Sequence, residues 1–201
     1  RDTIDEPARA GCSLLTVDLS DDDQITRFVD DSGLDDVDIL VNNAGIMLPA
    51  ESFLQRDWAV CQNIFAINFT APARLCHALA PRMVDKGWGR IINISSIAGL
   101  AGARGAVEYG TSKAALIGLT TNLAVDLASD GITVNAIAPG KVETPHVREQ
   151  KQTPKYQTRL RSVPTGRFVT PEEVAHVVTF LASEEASQIT GQVIAVDGGE
   201  T

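Results

Sequence analysis

Short apolar runs alternate with longer stretches of helical period along the 201 residues, the pattern of a parallel sheet covered by helices. The first run is residues 14–17, followed by the acidic capping stretch 20–23 and a helix over 24–31. A second buried strand, 38–41, ends in the tight polar turn Asn42-Asn43-Ala44-Gly45. Residues 53–84 read as helical, with interruptions near Asn68 and Pro72, and 90–94 form a third strand that runs into Ser95 and Ser96. A glycine-rich loop comes next. A long helix over 109–129 leads to a strand at 132–137, which Pro139-Gly140 breaks. Thr170-Pro171-Glu172-Glu173 has the form of a capping box with proline at the first helical position and opens a helix to about Ala182. Residues 192–196 make the closing strand. The fold class expected is α/β, a doubly wound Rossmann-type parallel sheet with helices on both faces. No repeat, low-complexity tract or linker divides the chain, so residues 1–201 are expected to form one domain.

Composition narrows the function. A hydrophobic content of 44% suffices for one large core. Lys and Arg number 17 against 26 Asp and Glu, and a net charge of -9 offers no basic face to nucleic acid. No apolar run approaches a membrane span, and the polar start is no secretory leader, so a soluble cytoplasmic protein is expected. Cys12, Cys61 and Cys76 are widely spaced, as are His77, His146 and His176. Neither set suggests disulfides or a metal site.

The chemistry centres on Tyr109 and Lys113, which at i and i+4 share one helix face. A nearby ammonium favours the phenolate and makes tyrosine a usable acid or base. Alone, such a pair also fits an ordinary exposed helix face. Ser96, thirteen residues before Tyr109, lies at the end of a strand, where open parallel sheets bind ligands. Its hydroxyl could polarise a carbonyl.

Asn42-Asn43-Ala44-Gly45, Asn68, Ser96, Tyr109, Lys113 and Pro139-Gly140 with Thr144 together resemble the signature of the short-chain dehydrogenase/reductase family, in order and spacing. The resemblance runs from Asp18 to Val196-Asp197-Gly198-Gly199. It implies Tyr109 as general acid or base, Lys113 as the group that lowers its pKa and binds the nicotinamide ribose, and Ser96 as the residue that orients the substrate oxygen. Asn68 would hold a water joining Lys113 to solvent; without the family it reads as a helix-ending cap. The resemblance assigns Asn42, Ala44 and Gly45 to the adenosine side of NAD or NADP, and Asp18 to the adenine, where the alternative is a helix cap. Pro139, Gly140, Val142 and Thr144 would contact the nicotinamide end.

The family's opening strand, glycine-rich turn and helix find no match here, and Arg1 resembles the end of its second strand. Some 30 to 40 upstream residues, one strand-helix-strand unit, are therefore expected beyond this sequence. Gly99, Gly102 and Gly105 have the wrong place and spacing to replace the phosphate turn. Between Thr144 and Ser162, Arg148, Lys151, Lys155, Arg159 and Arg161 stand against Glu149 alone. That points to a small anionic substrate, with a solvated loop as the alternative. The stretch 191–199 together with Val163-Pro164-Thr165-Gly166-Arg167 resembles the deoxygluconate and gluconate dehydrogenase branch, and 3-oxoacyl carrier-protein reductases share much of it. A sugar acid is the substrate expected first and a 3-oxoacyl thioester second. A noncatalytic nucleotide-binding or interaction protein is the alternative of another class. Association into a dimer or tetramer is expected through apolar positions of the two long helices, among them Phe69, Leu79, Leu116 and Leu123.

Overall fold

The computed structural model describes residues 13–31 and 34–201; Arg1 and Cys12 lie outside the described residues. Four parallel strands, β1 (Ile39–Asn42), β2 (Gly89–Ile94), β3 (Ile132–Pro139) and β4 (Val193–Val196), pair in chain order. Strands β2 and β3 are buried at every position, which is why they read as continuous apolar runs rather than alternating ones. Their side chains still alternate between two cores. Ile91 and Val134 pack with Cys76, Met83 and Ala124, whereas Ile92, Ile94 and Ile137 pack with Leu181 and Ala186. These clusters place α3 (Ala71–Lys86) and α5 (Val107–Leu127) on one face and α8 (Pro171–Leu181) on the other. The expected doubly wound α/β architecture is present.

Local chemistry sets the helix ends. Helix α1 (Asp22–Asp31) begins where Asp21 Oδ1 accepts from the amides of Asp23 and Gln24. Helix α8 carries the complete capping box: Thr170 Oγ1 accepts from the Glu173 amide, and the Glu173 carboxylate accepts from the Thr170 amide. Between α2 (Trp58–Phe65) and α3 the chain makes a π-helical turn, Ala66–Thr70. The break read at Asn68 is this wider turn. Pro72 breaks nothing, because it sits in the first turn of α3, where its missing amide costs little.

Three expectations are corrected. Residues 14–17 do not form a strand: Leu14 and Leu15 are exposed, and no strand among the described residues pairs with the segment. The glycine-rich loop after Ser96 contains a short helix, α4 (Ile97–Ala101), capped by the Ser96 hydroxyl, which accepts from the Ala98 amide. The loop after Thr144 holds α6 (Pro145–Arg148) and α7 (Pro154–Leu160), each opened by a threonine cap and a proline. No helix among the described residues is long and apolar enough to cross a membrane.

Candidate active site

The carboxyl ends of β1, β2 and β3 open onto two neighbouring cavities. The inner one, about 220 Å3, is lined by Gly45, Ser96, Tyr109, Lys113, Pro139 and Val142 among others. The outer one, about 720 Å3, shares Ser96, Tyr109, Gly140 and Val142 and extends past Thr144 to Arg159 and Thr201. This is where an open parallel sheet presents free backbone groups to a ligand.

Helix α5 brings Tyr109 to the wall of both cavities and Lys113 to that of the inner one. Its backbone is clamped from β2, because Ser95 Oγ donates to the Lys113 carbonyl at 2.9 Å. Helix α4 approaches α5 so closely that a Cβ on Gly99 would lie 2.8 Å from the Lys113 carbonyl carbon. The Lys113 side chain is buried, and Nζ donates to the Ile94 carbonyl at 2.8 Å. Burial lowers its pKa from 10.5 to about 8. Nζ lies 6.0 Å from the centroid of the Tyr109 ring. Burial pushes the Tyr109 phenol above its ordinary value, and the Ser96 hydroxyl pulls the other way. The lowering expected from Lys113 is not seen: burial sets the direction, and Ser96 is the group that opposes it.

Asn68 is fully buried within the π-helical turn. Its Oδ1 accepts from the Ile46 amide at 2.8 Å, and its Nδ2 donates to the Ile46 carbonyl at 2.9 Å and to Ser112 Oγ at 3.1 Å. Ser112 Oγ donates in turn to the Tyr109 carbonyl. One amide therefore ties the loop after β1 to the helix that carries Tyr109. Such a network fixes geometry because every member is satisfied in a dry interior.

The remaining predicted positions divide. Asn42 is turned inward, its Nδ2 donating to Asn93 Oδ1 at 2.8 Å, while Ala44 and Gly45 are exposed in the turn above. Pro139, Gly140, Val142 and Thr144 follow one another along the rims of the two cavities. Asp18 is exposed and lines neither cavity; its carboxylate accepts from the amide and hydroxyl of Ser20.

The family model described as Enoyl-(Acyl carrier protein) reductase matches residues 2–201. The chain belongs to the short-chain dehydrogenase/reductase family. It is 45% identical over 166 residues to a 3-oxoacyl-[acyl-carrier-protein] reductase of Aquifex aeolicus, covering 83% of this chain and 66% of that one. It is 43% identical over 180 residues to an acetoacetyl-CoA reductase of Rhizobium meliloti, covering 89% and 73%. Against the first curated relatives the chain thus spans 65 to 66% of their length. Among solved structures, a putative NAD(P)-dependent gluconate 5-dehydrogenase from Beutenbergia cavernae, with NADP bound at low occupancy, superposes with a TM-score of 0.85 at 34% identity, over 92% of this chain and 75% of that one. A putative gluconate dehydrogenase from Agrobacterium tumefaciens gives 0.83 at 30%, over 91% and 73%.

In this family member the basic loop is arranged differently from the expectation. Glu143 takes up two of its cations, Lys151 at 2.8 Å and Arg148 at 3.6 Å, and also accepts from the Tyr156 hydroxyl at 3.0 Å. The bond from Lys151 holds the Glu143 carboxyl below its ordinary pKa. Neither Arg148 nor Lys151 lines either of the two cavities, whereas Arg159 lines the outer one. The side chain of Lys155 lies outside the described ones. Sequence reasoning also missed Lys141 and Glu200, an ion pair on the wall of the outer cavity. They stand 59 residues apart, and only the meeting of β3 with the terminus after β4 joins them.

Proposed function

We propose that the protein interconverts a secondary alcohol and a ketone using NAD or NADP. The observation that carries this reading is the convergence of Ser96, Tyr109 and Lys113 on one cavity at the strand ends. The residues fit the nicotinamide-ribose half of such a cofactor. Among the described residues Lys113 has one acceptor, the Ile94 carbonyl, and the rest of its donor capacity is available to a cavity edged by Gly45, Pro139 and Gly140. A bound nicotinamide supplies or takes the hydride. The protein's own residues handle the oxygen and its proton. Ser96 and Tyr109 donate hydrogen bonds to the substrate oxygen; in reduction the Tyr109 hydroxyl proton passes to that oxygen as hydride reaches the carbon. The phenolate left behind is stabilised by the Lys113 ammonium. Oxidation runs the same steps backwards. Asn68 holds the scaffold through Ile46 and Ser112, and we assign it the water link between Lys113 and solvent.

For the substrate we infer a small hydroxylated acid of the gluconate type. Ser96, Thr144, Arg159, Ser162 and Thr201 place polar groups in an outer cavity whose lining is otherwise largely apolar, through Met47, Ile97, Ala101 and Val147, and it is the likeness to the two gluconate dehydrogenase structures that supports this class. A second reading, reduction of a 3-oxoacyl thioester, is favoured by the higher identity to the reductases of Aquifex and Rhizobium. The full-length protein assayed with 5-ketogluconate and with an acetoacetyl thioester, each with NADH and NADPH, separates the two. Turnover of the thioester alone would overturn the sugar-acid reading; turnover of neither would overturn the reaction class.

We further propose a homo-oligomer. Leu79 and Leu116, expected at its interface, are committed to the core. Phe69 and Ala73 remain half-buried and line a surface groove, and exposed Trp58, Phe53 and Val107 line another beside α5. The free, buried thiols of Cys61 and Cys76 fit a reducing cytoplasm.

A further inference from the structure

We infer that Arg159 is the residue that reads a carboxylate on the substrate, and that Glu143 leaves it available by engaging its neighbours. This rests on the small-acid reading above. Among the described residues two cationic side chains line the outer cavity, Lys141 and Arg159. Lys141 Nζ is occupied by the Glu200 carboxylate, whose side chain is 5% exposed, and by Ser162 Oγ at 2.9 Å. Its charge is neutralised in place. Arg159 is half-buried and has no ion-pair partner among the described residues. A guanidinium drawn partly out of water with no carboxylate beside it favours an incoming anion more than a solvated one does.

The scaffold beneath Arg159 is built to hold it. Helix α7 is anchored three residues earlier by Tyr156, which is buried and bonded to Glu143. The Tyr156 ring packs on Phe168 with centroids 4.6 Å apart, inclined at 48°. The Arg159 guanidinium lies over the same Phe168 ring, 5.9 Å from its centroid. A planar cation resting on an aromatic face loses less freedom on binding than one waving in solvent. Glu143 fixes Tyr156 and at the same time draws Lys151 and Arg148 to the outside of the loop. These two cations are thereby engaged away from the substrate, and of the four basic residues of the segment whose side chains are described, Arg159 alone lines the outer cavity.

The test is a split in KM between charged and neutral substrates. Full-length protein, its Arg159→Gln and Arg159→Lys variants, and an Arg148→Gln control are assayed with 5-ketogluconate and with its methyl ester. Arg159→Gln should raise KM for the acid roughly ten- to a hundredfold, the range of one charged hydrogen bond, with kcat and the ester's kinetics little changed. Arg159→Lys should recover part of the loss, and Arg148→Gln should leave both substrates unaffected. Unchanged kinetics on the ester would show that the variant is folded. An equal rise in KM for acid and ester would overturn the role of Arg159 while leaving the sugar-acid reading standing. Wild-type turnover of an acetoacetyl thioester with neither the acid nor the ester accepted would overturn the substrate class, and this inference with it.

Discussion

Gly45 gives Lys113 its room: a methyl group at position 45 would lie 3.1 Å from Lys113 Nζ and 3.2 Å from Asn68 Oδ1. The first of these contacts falls on a flexible side chain and the second on a fully buried amide, so the lysine is the group that gives way. Gly45→Ala should therefore displace the ammonium from beneath Tyr109 with little effect on folding. The shift needed is a few tenths of an ångström, so the loss should fall well short of the roughly hundredfold that a misplacement of about 1 Å can cost. Steady-state kinetics beside a thermal melt check this: a lowered kcat with an unchanged melting temperature is expected. An unchanged kcat would show that the position of Nζ tolerates the methyl group.

Lys113 also carries a stability signature. Its folded-state pKa of about 8 lies below the ordinary 10.5, so between those two pH values the unfolded chain binds more protons than the folded one. Stability contributed by this residue therefore rises with pH across that window. A depression of that size corresponds to about 3 kcal/mol at most. Lys113→Met should remove this rise, leaving a flatter dependence than wild type between pH 8 and 10 in denaturant titrations. Identical slopes in the two proteins would contradict the depressed pKa.

The lines of chemistry were legible where one motif held them. Tyr109 and Lys113 sit four apart on a helix, and Ser96 ends a strand; spacing alone left an ordinary helix face open, the family resemblance joined the three, and all three line one cavity. Residues 14–17 are not a strand because an apolar run becomes one only where a partner strand pairs with it, and none does so among the described residues. The charge of the basic loop was misread for a different reason. Glu143 stands one residue before the segment that begins at Thr144, so the carboxylate that neutralises Arg148 and Lys151 fell outside the window over which the charges were weighed. Short helices α4, α6 and α7 have too few residues for a helical period to show. The prolines and threonine caps of α6 and α7 were their visible signals.

A buried ion pair beside Tyr109 offers a third check. Arg56 reaches Glu51 at 2.8 Å and Glu108 at 3.1 Å, and donates to the Pro49 carbonyl at 2.7 Å. Glu108 is 2% exposed and directly precedes Tyr109, so Arg56 pins the loop after β1 to the first turn of α5. Arg56→Ala would leave a buried carboxylate without its cation, a loss of about 3 to 5 kcal/mol. Adding Glu108→Gln to that variant should restore part of it, since the uncompensated charge is then gone. Equilibrium unfolding of the single and double variants measures both steps. A cost below about 1 kcal/mol for Arg56→Ala would show that the pair behaves as a solvated one.

The central claim is that Tyr109 transfers the proton. Tyr109→Phe removes the hydroxyl and keeps the ring, so the fold and the cavity shape should persist, along with the Lys113 bond to the Ile94 carbonyl. Losing a single acid-base group should lower the chemical step by about a hundredfold or more. The direct measurement is single-turnover hydride transfer by the full-length protein and its Tyr109→Phe variant, with cofactor affinity determined in parallel by fluorescence titration. The account predicts a rate at least about a hundredfold lower with cofactor affinity unchanged. A variant that binds cofactor normally and turns over at the wild-type rate would contradict it.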